Sequence, residues 1–242
     1  MMPRITMKRK NILSPLCRCL VLLAALFLLS SCAGRLANLA YTDGAVAETL
    51  SAAVSLSFSS GERGMGGSGY LVYRRPDLMR LIVLSPFGTT LMELYVNGER
   101  ITIVHPGKGS AFAGLLADLP ERGESGGWRQ VRWVMDVDPP GSSLRDGTLE
   151  RVNGQGVRER VTFENGLVTA KALPNGDEAR YGDFAVIGGV PLATEIIMEN
   201  AAGDRFRLKL NEPEVNGPLE ADLFTPRLDG LTVYPLAALQ GS

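Results

Sequence analysis

Residues 79–98 read MRLIVLSPFGTTLMELYVNG. From Met79 to Leu84 every side chain but Arg80 is apolar, so the segment reads as a strand covered on both faces. Ser85-Pro86-Phe87-Gly88 ends it as a tight turn, because Pro86 fixes its own backbone angle and Gly88 permits a sharp bend. Beyond the turn Met92, Leu94 and Val96 alternate with polar or larger neighbours and share one face. Asn97-Gly98 then has the chemistry of a two-residue hairpin. The stretch is strand, turn, strand, turn, which is the grammar of an antiparallel sheet.

The same grammar recurs outward from it. Asn165-Gly166 and Asn175-Gly176 are good hairpin turns, and Asn153-Gly154 and Asp146-Gly147 are weaker ones. Phe206, Leu208 and Leu210 face opposite to Arg205, Arg207 and Lys209. Val157, Val161 and Phe163 oppose Arg158, Arg160 and Thr162. Period two over many segments predicts a mainly β fold, apolar inside and wet outside. Few helices are expected: one from about Ala45 to Val54 capped by Thr42 or Asp43, and one from Ala111 to Asp118 capped by Ser110 and stopped by Pro120. Trp128 to Val137 reads equally as helix or strand. Gly61 to Gly69 reads as a glycine-rich break, and Pro76 as the end of the strand that follows it.

The 242-residue chain carries 25 Lys+Arg against 26 Asp+Glu, a balance of −1. Residues 1–31 hold five of the basic groups (Arg4, Lys8, Arg9, Lys10, Arg18) and no acid, so 20 basic and 26 acidic side chains remain, a balance of −6. An acidic body lacks the footprint of a nucleic-acid binder. At 45% hydrophobic and 21% charged, the chain can bury a sizeable core. After the basic cluster, Leu20 to Leu29 is a ten-residue apolar run, too short to span a bilayer and suited to a signal-peptide core. Leu29-Ser30-Ser31-Cys32 follows and is similar to a bacterial lipobox, which predicts cleavage before Cys32 and a lipid on its sulfur. Cys17 and Cys19 would be discarded with residues 1–31, leaving Cys32 without a disulfide partner. A diacylglycerol there would hold the protein firmly on a membrane. Ala33 and Gly34 replace the Asp of familiar inner-membrane retention signals, which favours the outer membrane. Residues 32–44 then read as lipidated cysteine and tether, 45–235 as the folded domain and 236–242 as a tail.

Catalytic chemistry is sparse. His105 is the one histidine, at a probable strand end beside Pro106, where a surface turn explains it better than a general base. Asp136 and Asp138 precede Pro139-Pro140 and read as a solvated acidic turn after a strand rather than as a cation site. Gly64, Gly66 and Gly69 fit GxGxxG literally, but Tyr70 to Tyr73 behind them is a strand pattern and not the helix that a pyrophosphate needs. Gly107-Lys108-Gly109-Ser110 lacks the spacing of a phosphate loop. No nucleophile-base pair and no metal cluster is visible, so neither an enzyme, a metal site nor a non-covalent cofactor is expected.

Three patches resemble the LolA/LolB superfamily of periplasmic lipoprotein carriers: residues 79–98, residues 199–210 (ENAAGDRFRLKL), and Phe224-Thr225-Pro226 with Gly230-Leu231-Thr232-Val233. The first two and the lipobox are closest to the outer-membrane receptor LolB, and the third is closer to the soluble carrier LolA. The resemblance implies a half-open antiparallel β-barrel with an apolar concave face and a helical lid. It implies a lipid-anchored monomer at the outer membrane that receives lipidated proteins, or phospholipid, from a LolA-type carrier. Met92, Leu94, Val96, Phe206, Leu208 and Leu210 are the cavity candidates, unless those strands present the opposite face. Pro86, Phe87 and Gly88 match a protruding loop that passes cargo to the membrane, although Phe87 would equally fold back onto the core. A carrier of another hydrophobic ligand, or a structural lipoprotein with a filled core, shares the same sequence features.

Overall fold

The computed structural model describes residues 36–61, 63–119 and 126–241. Packing divides the chain after Asn38, and the architecture below is that of the unit beginning at Leu39. Cys32 and the lipobox lie outside the described residues.

The unit is one sheet of thirteen strands: β1 (Thr49–Ser60), β2 (Arg63–Arg74), β3 (Leu78–Leu84), β4 (Thr90–Asn97), β5 (Arg100–His105), β6 (Ser110–Leu115), β7 (Gly147–Val152), β8 (Arg158–Glu164), β9 (Leu167–Ala172), β10 (Glu178–Ile187), β11 (Val190–Glu199), β12 (Arg205–Val215) and β13 (Thr232–Pro235). Their order is β13-β6-β5-β4-β3-β2-β1-β12-β11-β10-β9-β8-β7. Every neighbour pair is antiparallel except β13 with β6. The sheet is open, since its edge strands β13 and β7 do not pair, so the expected half-open barrel is present as a mostly antiparallel sheet that does not close. Of the five Asn-Gly and Asp-Gly turns read as hairpins, Asn97-Gly98, Asn153-Gly154, Asn165-Gly166 and Asn175-Gly176 join neighbouring antiparallel strands, with Gly98 at φ 59 and Gly166 at φ 75, whereas Asp146-Gly147 only opens β7.

β1 and β12 sit at the centre, joining two halves. Phe58↔Phe206, Leu56↔Leu208 and Val54↔Leu210 bring matching apolar side chains to one inner face. A core cluster over β1–β6 includes Val54, Leu71, Leu81, Leu94, Val96 and Ile101, while a second under β8–β11 includes Val161, Phe163, Ala179, Tyr181 and Ile196. The one α-helix among the described residues, α1 (Val131–Met135), follows a 3-10 turn over Gly126–Gln130 and joins them, with Val131 in the first cluster and Trp133 and Val134 in the second. That settles Trp128–Val137 as largely helical. No broader helical lid is shown.

Two expected helices are corrected. Residues 49–54 belong to β1, and 111–115 to β6. In β1 Leu50 and Val54, which also fit a helical spacing, alternate with Ala52 at period two, and ladders to β2 and β12 satisfy both edges of its backbone, which tertiary pairing supplies and local spacing does not show. The glycine-rich stretch is no break either. It is the first half of β2, paired residue for residue with β1 from Arg63 to Arg74. No helix among the described residues is long and apolar enough to cross a membrane.

Candidate functional site

The inner face does not fill. Between the two halves lies an apolar cavity of about 110 Å³, walled by Leu50, Leu71 and Tyr73 from one side, Tyr181, Phe184, Leu192, Ala193 and Ile196 from the other, and Leu208 and Leu210 from the central β12. Val134 and Met135 of α1 and Ala45, Val46 and Ala47 ahead of β1 complete it. That volume lies below the roughly 300–1,000 Å³ of ordinary ligand pockets, so in this state the cavity has room for only part of an acyl chain. A smaller void of about 20 Å³ lies under Trp128, Val131 and Met135 and shares Leu71, Val134, Met135, Ile196 and Leu208 with the first. The walls are chemically inert. Burial, helped by the carboxylates of Asp136, Asp77 and Glu48 and opposed by Arg75, pushes the Tyr73 phenol up to about 12, so it stays neutral. Arg75 and Asp138 supply charge at the border, with the Arg75 guanidinium donating to Val137 O at 3.3 Å.

Behind α1 stands a buried polar network absent from the sequence reading. The Lys171 ammonium, 1% exposed, donates to Trp133 O at 2.7 Å and Asp136 O at 2.8 Å and pairs with Glu159 at 3.2 Å. Trp133 Nε1 donates to Glu159 Oε2 at 2.7 Å, and Tyr181 donates to Val134 O at 2.7 Å. Arg151 joins Glu159 to Asp138. Helix ends leave carbonyls without internal partners, and here Lys171 and Tyr181 take those of Trp133, Val134 and Asp136, fixing the helix over the cavity. Burial alone would raise the Glu159 pKa. The Lys171 charge and the bonds from Arg151, Trp133 and Lys171 outweigh it and hold the carboxyl below its usual range. Glu159 shares a face with Val161 and Phe163, so its charge at an inward strand position was the available signal.

The sequence-derived residues are placed as follows. Leu208 and Leu210 line the 110 Å³ apolar cavity, while Phe206 lines the 20 Å³ void, with Trp128 packed edge-on at 4.9 Å, and also borders a wider, more polar pocket of about 460 Å³ with Gln130, Asp177 and Glu178. Met92, Leu94 and Val96 face the same side, but Leu94 and Val96 are fully packed in the core cluster and Met92 leans on it, and none of the three borders either void. The wall from β10 and β11 was missed, although Ala179 and Tyr181 alternate in the sequence. Phe87 is 93% exposed, on a turn in which Gly88 has φ +79 and Ser85 Oγ accepts from the Phe87 and Thr89 amides. It is not a core plug. His105 ends β5 with its ring edge against Phe112, and its Nδ1 finds no hydrogen-bond partner among the described residues. Asp136 and Asp138 follow α1 and not a strand. Asp138 is ion-paired with Arg151, which corrects the solvated turn. No group of three metal-ligating side chains occurs among the described residues. Gly64, Gly66 and Gly69 lie inside β2, where no phosphate loop can form.

This open sheet is similar in fold to solved structures that include a LolA superfamily protein. It is similar to a LolA superfamily protein from Nitrosomonas europaea, with TM-score 0.52 and 17% identity over 74% of this chain and 91% of that one. A DUF1329 family protein from Desulfovibrio piger gives TM-score 0.53 and 11% identity over 74% and 90%. A domain assigned as an outer membrane lipoprotein-sorting protein, from Vibrio parahaemolyticus, gives 0.50 and 9% over 74% and 90%. No protein-family model matches the chain. No curated protein matches it.

Proposed function

We propose that the chain is a lipid-anchored carrier that shelters acyl chains in the cavity between its two half-sheets and releases them into the outer membrane, in the manner of LolB. The observation that carries this reading is an unfilled, apolar cavity on the inner face of a LolA-like sheet. Each methylene sheltered there would stabilise a bound chain by ~0.8 kcal/mol before ordering costs. A bilayer that buries more of the chain then takes it, without fuel. Lipid on Cys32 keeps the protein at the membrane, facing the periplasm, and exposed Phe87 with Pro86 and Gly88 forms the contact through which cargo leaves. Cargo would arrive from a LolA-type soluble carrier, and the protein acts as a monomer without catalysis. A second reading, carriage of a fatty acid or phospholipid, is favoured by the volume, which is too small in this state for the several chains of a lipoprotein.

Native mass spectrometry of the protein extracted from membranes tests the reading. Wild type should retain a lipid beyond that on Cys32. Ala193→Leu adds three carbons to the cavity wall and should lose that adduct, and with it binding of a fluorescent fatty acid, while Tm stays within a few degrees. A clean wild-type mass together with no fatty-acid binding would make the protein a structural lipoprotein.

A further inference from the structure

Four polar side chains among the described residues reach the wall of the apolar cavity: Tyr73, Arg75, Asp138 and Tyr181. Three of them are committed elsewhere. The Tyr73 hydroxyl donates to Pro76 O at 3.0 Å, and that of Tyr181 to Val134 O at 2.7 Å. Asp138 accepts from Arg151 Nη1 at 2.7 Å, which neutralises it. Arg75 is the exception. Its guanidinium has one hydrogen bond among the described residues, from Nη1 to Val137 O at 3.3 Å, which is long for an N–H···O contact. Glu48, Asp77 and Asp136 stand near enough to act on the Tyr73 phenol, yet no carboxylate among the described residues is ion-paired with Arg75. The preceding residue, Arg74, meets Leu219 O and the Phe224 ring instead. The backbone holds Arg75 in place, because its N–H donates to Glu48 O at 2.9 Å just past the end of β2. The side chain is half-buried, so one end of a ligand could reach it from water.

We propose that Arg75 anchors the head of the cargo, and that the cargo is a single-chain fatty carboxylate. The proposal rests on the carrier reading and names the class of ligand within it. With Asp138 offset by Arg151, the charge left at the cavity wall is the positive charge of Arg75, which calls for an anion at that end. The planar fork of a guanidinium matches the two oxygens of a carboxylate. A mostly apolar pocket with one convergent charged group fixes the direction in which a ligand lies. Leu71, Tyr73 and Arg75 supply that direction, since they follow at alternate positions and all three border the cavity. A chain whose head is held at Arg75 runs inward past Tyr73 to Leu71, which also walls the 20 Å³ void under Trp128. The small volume admits one chain and disfavours the two of a phospholipid.

The test uses the full chain in phospholipid vesicles at about pH 8, where a carboxyl is ionised. Energy transfer from Trp128 and Trp133 reports binding of cis-parinaric acid and, separately, of its methyl ester, which has the same chain without the charge. Affinities are expressed against the probe dissolved in the same vesicles, so partition into lipid cancels. Wild type should bind the acid about tenfold more tightly than the ester. Arg75→Met keeps an apolar stem and removes the charge, so the acid should fall to the level of the ester. Arg75→Lys keeps the charge and loses the fork, and should retain about a threefold preference for the acid. Equal affinity for acid and ester in wild type, or a preference that survives in Arg75→Met, would overturn the anchor while leaving the carrier reading intact. Energy transfer to neither probe in wild type would remove the carrier reading, and the anchor with it.

Discussion

Phe87 shows what local chemistry can and cannot fix. Pro86 and Gly88 determine the turn, and the turn places the side chain between them at a surface, where it is 93% exposed. Whether an aromatic ring there folds inward depends on the shape of the neighbouring strands, and the structure leaves it in solvent. A ring buried in lipid rather than water would yield ~1.5–3 kcal/mol. Phe87→Glu should therefore leave Tm and fatty-acid uptake as in wild type, because the ring supports no core contact, and should reduce delivery of cargo to liposomes about tenfold, on the scale of that lost transfer energy. Delivery at the wild-type rate would remove the loop from the transfer step. At the same scale His105 was legible as a strand end, although its half-buried ring against Phe112 was not, and Glu159 was hidden. An acid inside a strand reads as solvent-facing until Lys171, from β9, and Trp133, from α1, are seen to meet it.

Among the elements, β2 was the least legible. Four glycines between Gly64 and Gly69 resemble a break, because glycine lowers strand propensity. Their reason is tertiary, and it differs along the strand. A Cβ at Gly69 would stand 1.8 Å from the Ile82 carbonyl oxygen of β3, so only glycine permits that approach. A Cβ at Gly64 would meet nothing nearer than 3.7 Å. Gly69→Ala should cost about 3 kcal/mol of unfolding free energy, at the upper end of overpacking penalties. Gly64→Ala should be neutral or stabilising by ~0.5–1 kcal/mol. Urea unfolding of the two variants checks this, and equal stabilities would show that β2 and β3 adjust freely. Likewise β1 carried a helical spacing and a strand spacing at once, and the pairing partners on both sides decided between them.

For the molecule as a whole, stability in acid should depend on the network that holds α1. The folded Glu159 carboxyl is held below its usual range, so in the unfolded chain it binds a proton more readily. Its contribution is complete above the unfolded pKa, near ~4.3, and is lost as pH falls through the lower folded value. Tm of wild type should fall steeply below about pH 4. Glu159→Gln removes that titration and leaves Lys171 buried without its counter-charge, so it should cost about 3 kcal/mol at neutral pH and show a shallower acid dependence. Parallel Tm-versus-pH curves for the two proteins would dismiss Glu159 as the group responsible.

By itself the sequence determined that the chain folds as a mainly antiparallel β unit, because alternation and Asn-Gly turns are local signals written within a few residues. It determined the Phe87 turn for the same reason. It also carries the apolar run Leu20–Leu29 and the Leu29-Ser30-Ser31-Cys32 motif on which the proposed leader and lipid anchor rest. Only the tertiary structure decided that the sheet stays open, that Leu208 and Leu210 border a cavity while Leu94 and Val96 are packed solid, and that Arg75 reaches the wall of that cavity. Each of these depends on groups far apart in the chain: Arg75 with Val137, Tyr181 with Val134, Lys171 with Trp133. Alternation says which residues share a face. Where that face is filled and where it is hollow depends on how closely distant strands approach, and no local pattern encodes that distance.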